Sequence, residues 1–375
     1  MPTYGRFDVS FVRGEGATLY GEDGREYIDF ASGIGVNSVG YAHPDWVKAV
    51  SAQAGTLAHV SNLYHTLPGA KLAERLCALS GMEKVFFANS GAEANEGLIK
   101  CARKYSHDKY GEGRAAVVTL VNSFHGRTVT TLAATGQESF HQHFMPFTGG
   151  FRHVPAGDLE ALQTQPGDVC AVLLELVQGE GGVLPLDKEY VQSVAGLCRK
   201  NDWLLCVDEV QTGIARTGTW FAFQQYGIKP DIVSFAKGIA GGLPLGGFMT
   251  GEKTSDVLTP GTHATTFGAN PVCCAAALAT LDILEGVLSD VGRKAGLIRA
   301  ALEEKNPENL AGIRGLGLMI GLSVKGAPRD YAQSALDKGL VVLTAGKDAV
   351  RLLPPLTISE KELEKGLKIL CEVLL

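Results

Sequence analysis

The chain has 375 residues, of which 45% are hydrophobic and 20% are charged. These proportions exclude a disordered chain, a coiled coil and a collagen-like fibre, and the length is sufficient for two domains. The net charge of −6, with no basic run, argues against nucleic acid or an anionic membrane as the main partner.

The first two thirds of the sequence alternate short apolar runs with helical patterns. An Asp23-Gly24 turn between short apolar pieces at 15–30 predicts a β-hairpin. Helical patterns run from Asn89-Ser90-Gly91 to about Tyr110 and over 189–200. Because near-continuous apolar strands between helices are typical of a parallel sheet covered on both faces, we predict an α/β fold. The predicted strands cover 85–88, 115–121, 169–177, 204–208 and 232–235.

The remainder of the chain predicts a second, smaller α/β domain. Its closing helix begins at Ser359, with Glu362 at capping-box spacing. We predict an N-terminal segment at 1–50 that joins the small domain, a large domain at 51–260 and a C-terminal small domain at 261–375. The other predicted elements are an Ala-rich helix at 271–287, a strand at 317–322, a helix near 328–338, and strands near 340–345 and 349–353.

The eight cysteines are scattered without a CxxC pair, and Cys170 and Cys206 lie inside apolar runs. This pattern predicts buried free thiols in a reducing compartment. Because the sequence shows neither a leader pattern at its N-terminus nor a run of about 20 apolar residues, we expect a cytoplasmic protein that does not cross a membrane. Histidines and carboxylates show no metal-ligand spacing, so we expect no metal.

Three polar clusters directly follow predicted strands, and they begin at Asn89, Asp208 and Lys237. Ligands of open α/β sheets bind at the carboxyl ends of the strands. A helix start, a carboxylate and a lysine are therefore expected to meet in one crevice, which makes that crevice a candidate site.

Taken singly, each cluster also has an ordinary structural explanation. The helix start at Ser90 could bind phosphate through free N–H groups, but Ser90 with Glu93 also fits a plain capping box. Lys237 could be a nucleophile whose pKa burial has lowered, or a lysine that snorkels at the sheet edge. Asp208 could face a cation or cap the next helix.

Taken together, seven motifs resemble one family in the order and nature of their residues. The chain is similar to the class III (ω-type) pyridoxal-phosphate aminotransferases, and within them to the acetylornithine aminotransferases. The resemblance implies the PLP-dependent transferase fold (fold type I), with a large, mainly parallel sheet covered by helices, a smaller α/β domain and pyridoxal 5′-phosphate as cofactor. The motifs are FANSGAEANE (87–96), SFHGRT (123–128), QGEGG (178–182), DEVQTG (208–213), AKG (236–238), TTFGANP (265–271) and RLLPPL (351–356).

The resemblance implies roles for the residues around the cofactor ring. Lys237 would hold the cofactor covalently and, once freed by substrate, would move the proton at the substrate carbon. Asp208 would pair with the pyridine nitrogen and keep it protonated, so that the ring accepts electrons. Gln211 would hydrogen-bond the ring hydroxyl, and Phe124 would stack on the ring face.

The resemblance also implies that the cofactor phosphate lies between two subunits. The backbone N–H groups of Gly91 and Ala92 would bind it from one chain, and Thr266 would bind it from the other. The active site would then form only in a homodimer.

Four residues would bind substrate by the same resemblance. Arg127 would bind the substrate carboxylate through its planar fork, and Thr265 would line the substrate site. Arg351 would bind the α-carboxylate of 2-oxoglutarate or glutamate, with Glu180 as its charge partner. Glu175 lies at the end of a predicted strand, and we interpret it as a structural or supporting residue.

The implied reaction moves the δ-amino group of N2-acetylornithine to 2-oxoglutarate, a step of arginine biosynthesis. His125 and Gly33 stand where ornithine δ-aminotransferases more often carry tryptophan and tyrosine, which favours an acylated substrate. At four positions an alanine stands where many relatives have glycine, so the local geometry there could differ. These are Ala215, Ala240, Ala264 and Ala269.

Other functions of the same fold stay open at this point. One is another ω-aminotransferase that acts on succinylornithine, succinyl-diaminopimelate, ornithine or 4-aminobutyrate. A second is a pyridoxal-phosphate aminomutase or racemase, although such an enzyme needs no 2-oxoglutarate and therefore no Glu180–Arg351 pair. A non-enzymatic scaffold would tolerate loss of Lys237 and Asp208, and both are present.

Overall fold

The computed structural model describes all residues, 1–375, and contains seventeen β-strands and twelve α-helices. The strands are β1 Phe11–Glu15, β2 Thr18–Gly21, β3 Glu26–Asp29, β4 Lys84–Ala88, β5 Ala116–Leu120, β6 Phe151–Val154, β7 Val169–Leu174, β8 Val177–Gln178, β9 Leu184–Pro185, β10 Leu204–Asp208, β11 Ile232–Phe235, β12 Gly246–Thr250, β13 Leu310–Leu316, β14 Met319–Val324, β15 Leu340–Val341, β16 Leu343–Ala345 and β17 Ala349–Leu352. The helices are α1 Ser32–Gly35, α2 Pro44–Ala54, α3 Leu67–Ser80, α4 Gly91–Tyr110, α5 Val129–Ala134, α6 Leu159–Gln163, α7 Lys188–Asn201, α8 Phe223–Tyr226, α9 Pro271–Glu285, α10 Val291–Lys305, α11 Pro328–Asp337 and α12 Glu360–Leu374.

A seven-stranded sheet in the order β4-β12-β11-β10-β7-β5-β6 forms the centre of the molecule. Only β12 runs antiparallel to its neighbours, β4 and β11, so the sheet is mainly parallel, as the apolar runs predict. Every residue of β7 and β10 is buried, which fits a sheet with both faces covered. Asp208 ends β10, Lys237 follows β11 and Gly91 follows β4, so their strands end at the same edge.

The predicted hairpin around Asp23-Gly24 is present, because β2 pairs antiparallel with β3. Strand β3 also pairs in parallel with β15, which lies more than 300 residues further along the chain. A second four-stranded sheet, in the order β13-β14-β17-β16, contains the other C-terminal strands. The N-terminal hairpin thus contacts C-terminal elements, while the exact domain boundaries stay a prediction.

The predicted strand at 317–322 begins too early. Residues 310–316 form β13 and 319–324 form β14, and the two strands pair antiparallel. Gly317 lies in the turn between them with a φ of 55°, the left-handed conformation that glycine adopts without steric cost. The long run at 169–177 is likewise interrupted, because β7 ends at Leu174 and β8 begins at Val177.

Seven of the eight cysteines are buried and all eight are free. No single helix has both the length and the apolar character needed to cross a membrane. Helix α9 and the segment Leu288–Lys305 reach that length and apolar character only when they are taken together, and the chain bends by 54° between them. No three His, Cys, Asp or Glu side chains are grouped so that they could hold a metal ion.

The packing of α12 on the N-terminal segment yields a stability prediction. In Gly366→Ala the new methyl group would come within 2.3 Å of Cζ of Phe30, whose side chain is fully buried. Alanine is the better helix former by about 1 kcal/mol, but overpacking a core costs about 1–3 kcal/mol. We expect Gly366→Ala to lower the midpoint of thermal unfolding.

The matched control is Gly196→Ala in α7, where no atom outside the local backbone lies within 4 Å of the added methyl group. That substitution should raise stability by about 0.5–1 kcal/mol, measured at the same protein concentration. Equal shifts in the two variants would show that α12 does not pack against Phe30.

Candidate active site

A cavity of about 440 Å³ opens at the carboxyl edge of the central sheet. The three polar clusters that follow β4, β10 and β11 all line it, as the strand order requires. Its lining includes seven of the residues singled out in the sequence. These are Gly91, Ala92, Phe124, Arg127, Asp208, Gln211 and Lys237.

Asp208 is held by a buried hydrogen-bond network. Its Oδ2 accepts from Asn95 Nδ2 at 2.7 Å and lies 2.8 Å from Nδ1 of His125, while Oδ1 accepts from the N–H of Val210 at 3.0 Å. Asn95 Nδ2 also donates to the carbonyl of His125 at 2.8 Å. Because Asn95, His125 and the N–H of Val210 all bond this carboxyl group, its orientation is set before any ligand binds.

Lys237 begins the 3₁₀ turn after β11, with a φ of 44° that is uncommon for a residue other than glycine. Such backbone strain is found most often at functional sites. Burial lowers the pKa of Lys237 below its ordinary value; the carboxylate of Glu180 opposes this shift and the guanidinium of Arg351 adds to it. An amine with a lowered pKa is a better nucleophile near neutral pH.

The N-terminus of α4 offers an anion site. As the first two helical residues, Gly91 and Ala92 have N–H groups without an acceptor inside the helix. The side chain of Ser90 accepts from the N–H of Glu93 at 3.2 Å and so leaves the first two N–H groups free. A methyl group on Gly91 would come 2.7 Å from Val210, so glycine keeps this part of the cavity open.

Glu175 is a buried carboxyl group that fixes two loops. It accepts from the N–H of Phe124 at 2.7 Å and from the N–H of Gly179 at 3.1 Å. Burial raises its pKa to about 7, while the nearby His125 opposes the shift. Glu175 therefore fixes the backbone of Phe124, which agrees with its interpretation as a supporting residue.

Arg351 is 2% exposed, and its Nη1 binds Oε1 of Glu180 at 2.7 Å and Oε1 of Gln211 at 3.0 Å. Burial alone would raise the pKa of Glu180, but the charge of Arg351 and its hydrogen bond hold that pKa below its ordinary value. The Nε of Arg351 is buried and has no acceptor. A buried guanidinium with an unused donor can bind a further anionic group.

Arg127 lies at the rim of this cavity, and four other predicted residues are not part of its lining. These are Glu180, Thr265, Thr266 and Arg351. Arg127 is exposed, and its guanidinium lies 3.9 Å from the ring centroid of Phe140 and 5.4 Å from that of Phe124. Thr265 and Thr266 line a separate depression beside α4, outside the cavity that contains Lys237.

The roles of Asn95 and His125 in the Asp208 network were missed by sequence reasoning. Asn95 lies four residues after Gly91, on the same face of α4, and this spacing was the available signal. Of the four alanines at family glycine positions, Ala215 and Ala269 have φ values of 68° and 58°, the region that glycine favours.

The family model described as "Aminotransferase class-III" matches residues 2–374. The chain belongs to the class III aminotransferases. Its fold is the PLP-dependent transferase fold (fold type I), and its cofactor is pyridoxal 5′-phosphate. The residues fit that cofactor, because the cavity is lined by free N–H groups that could bind a phosphate, by the carboxyl group of Asp208 and by Lys237 from the turn after β11.

Similar proteins include named aminotransferases. The chain is 54% identical to the acetylornithine aminotransferase of Haemophilus ducreyi, over 99% of this chain and 95% of that relative. It is 46% identical to the acetylornithine aminotransferase of Caldanaerobacter subterraneus subsp. tengcongensis, over 100% and 96%. Among solved structures, the N-acetylornithine aminotransferase of Stenotrophomonas maltophilia matches with a TM-score of 0.87 at 36% identity, over 99% of this chain and 96% of that one.

The ornithine aminotransferase of Toxoplasma gondii matches with a TM-score of 0.95 at 30% identity, over 100% of this chain and 92% of that one. A second structure of that aminotransferase is described as having partial occupancy of PLP at its active site. The fold is thus shared by aminotransferases of acylated and of free ornithine, so the substrate has to be argued from the site.

Proposed function

We propose that this aminotransferase moves the δ-amino group of N2-acetylornithine to 2-oxoglutarate, giving N-acetylglutamate 5-semialdehyde and glutamate, in arginine biosynthesis. The names of the relatives with 41–54% identity support the acylated substrate. The observation that carries the proposal is the ion pair of buried Arg351 with half-buried Glu180, whose charges both act on Lys237. Such a pair suits an enzyme that alternates between an amine donor and a dicarboxylate acceptor, because the carboxylate of the acceptor can take the place of the glutamate.

The two substrates differ at the end that enters the cavity. Acetylornithine presents a methylene that carries an amine, whereas 2-oxoglutarate presents a carboxylate. An unpaired, buried Arg351 would be costly beside a methylene, and the carboxylate of Glu180 removes that cost. When the dicarboxylate enters, its carboxylate would replace Glu180 as the partner of Arg351.

The other residues would orient the substrate and move protons. Exposed Arg127 at the rim would hold the distal carboxylate of either substrate. The cofactor supplies an electron-accepting ring when bound, and Asp208 would keep a proton on its ring nitrogen. Gln211 would bond the ring hydroxyl, Phe124 would lie on the ring face, and Lys237 would hold the cofactor and move the proton at the substrate carbon.

We further propose that the enzyme works as a homodimer in the cytoplasm. Thr265 and Thr266 lie outside their own cavity, and Thr266 is exposed. Beside them, Leu63 and Phe267 are exposed hydrophobic residues, and Asn62 bonds the carbonyls of Thr265 and Gly268. Clustered exposed apolar side chains are typical of a protein interface, so a partner subunit would receive these threonines in its own site.

A substrate panel tests the proposed reaction. With 2-oxoglutarate as acceptor, kcat/KM for acetylornithine should exceed that for ornithine and 4-aminobutyrate by roughly tenfold or more, since the site has to recognise the acyl end. Succinylornithine and succinyl-diaminopimelate belong in the same panel. A higher kcat/KM for a free diamine, or turnover without any oxo-acid acceptor, would contradict the proposal.

Substitution of each member of the ion pair should affect opposite half-reactions. Glu180→Ala leaves Arg351 unpaired beside the amine donor, so the acetylornithine half-reaction should slow by at least about tenfold relative to the 2-oxoglutarate half-reaction. Arg351→Ala should slow the 2-oxoglutarate half-reaction and spare the other. Single-turnover rates, followed by cofactor absorbance, measure each half.

Arg127→Ala is the control for this pair, because it should slow both half-reactions. If Arg351→Ala slowed the two halves equally, Arg351 would be a structural residue and the exchange of partners would be wrong.

Complementation tests the shared site of the dimer. Lys237→Ala removes the attachment point from one chain, and Thr266→Ala removes the contact that reaches the other chain's phosphate. Each homodimer should be nearly inactive, whereas a mixed dimer keeps one site with both residues intact, so activity should partly return on mixing. No recovery between subunits that are shown to exchange would place both residues in one chain's site.

A further inference from the structure

The turn that carries Glu180 is held by the sheet that carries Arg351. Residues 179–183 connect β8 to β9, which pair as a short antiparallel hairpin. Large-domain contacts hold one side of this turn: Glu175 accepts from Gly179, and a methyl group on Gly181 would come 2.6 Å from the carbonyl oxygen of Asn122. The opposite side of the turn faces the sheet of β13, β14 and β17.

Three residues in one row of that sheet explain how the turn fits. Arg314 on β13 pairs with Gly321 on β14, and Gly321 pairs with Arg351 on β17. Directly paired residues of neighbouring strands project to the same face, so both arginines emerge on one face with a glycine between them. A methyl group on Gly321 would come 2.8 Å from Cβ of Val183, so the glycine makes the space in which the turn lies.

Arg314 fixes the backbone of the turn. Its Nε donates to the carbonyl of Gly182 at 2.6 Å, and its two terminal nitrogens bind the carboxylate of Asp348 at 2.6 and 3.1 Å. The fork on Asp348 orients the guanidinium, and Ser323 donates to the same carboxylate. Such a planar, doubly anchored group holds an acceptor at a defined position.

The turn is also bound next to Glu180 itself. The N–H of Gly346 donates to the carbonyl of Glu180 at 2.9 Å. Gly346 has a φ of 57°, and a methyl group there would come 2.7 Å from the carbonyl oxygen of Gly181. The carbonyls of Glu180 and Gly182, which follow the Glu180 side chain in the turn, are therefore held by Arg314 and by the β16–β17 connection of the sheet that presents Arg351.

We infer that Arg314 is a positioning residue for Glu180, and that it sets how strongly Glu180 competes with a dicarboxylate for Arg351. The same sheet carries both arginines: Arg314 fixes the backbone of the turn, and Arg351 binds the carboxylate of Glu180 in that turn. If Arg314 is removed, Glu180 has to give up more conformational freedom to reach Arg351, and the pair weakens. This inference rests on the proposed exchange of partners at Arg351.

Arg314→Ala should therefore act as a weaker form of Glu180→Ala. The ratio of the acetylornithine rate to the 2-oxoglutarate rate in single half-reactions should fall by roughly 3- to 30-fold. Glutarate, a dicarboxylate without a reactive oxo group, should bind the holoenzyme more tightly because Arg351 is less well paired. Tighter binding is a result that general structural damage would not produce.

Arg299→Ala is the matched control. Arg299 lies in α10 and donates to the carbonyl of Gly315 at 3.1 Å. It therefore contacts strand β13, which also carries Arg314, but not the β8–β9 turn. This variant should leave both the rate ratio and glutarate affinity unchanged. Arg314→Lys keeps the charge, but a single ammonium group cannot bind both oxygens of Asp348 and the carbonyl of Gly182 together. This variant should therefore give an intermediate rate ratio. It replaces Arg314→Ala if that variant does not fold.

The double variant Arg314→Ala/Glu180→Ala separates the possible outcomes. If Arg314 acts through Glu180, the double variant should show the same rate ratio as Glu180→Ala alone. The inference would be overturned if the ratio in the double variant fell further by the factor seen in Arg314→Ala. It would also be overturned if Arg314→Ala left the ratio unchanged while Glu180→Ala altered it. Either result would leave the proposed function standing. An unchanged ratio in Glu180→Ala itself would overturn both.

Discussion

A buried guanidinium must have partners, and this requirement on Arg351 explains much of the architecture around the site. The side chain lies in the interior, bonded to Gln211 of the cavity wall, and an unpaired charge there would be costly. Glu180 and Gln211 supply its acceptors, and its Nε remains free for another. In the proposed exchange, a substrate carboxylate would take the place of Glu180, so the charge of Arg351 would stay paired with either an amine donor or a dicarboxylate in the site.

The same edge of the central sheet supplies the rest of the chemistry. Parallel strands β4, β10 and β11 end together, which brings the start of α4, Asp208 and Lys237 to one cavity although they are distant in sequence. Asn95 and His125 fix Asp208 from two different segments, and Glu175 supports Phe124. The cavity is thus formed at strand ends, whereas the Glu180–Arg351 pair lies where the β8–β9 turn meets the sheet of β13, β14 and β17.

The sequence predicted the central strands well, because β7 and β10 are continuous apolar runs. It missed β12, whose Gly246 and Gly247 have low strand propensity, and β6, which carries Arg152 and His153 at a sheet edge. The site residues came from family motifs, each of which is local. Arg314 has no such motif: its contact with Gly182 joins residues 132 apart, and only the register of β13, β14 and β17 places it in the same row as Arg351.

The exchange of partners at Arg351 can be observed directly by comparing crystal structures of the holoenzyme with and without bound glutarate. Without it, Glu180 Oε1 should lie near the 2.7 Å from Arg351 Nη1 found here. With it, a glutarate carboxylate should bind Arg351, and Glu180 should lie beyond roughly 4 Å, the limit for an ion pair. An intact Glu180–Arg351 pair beside glutarate bound in the cavity would contradict the exchange.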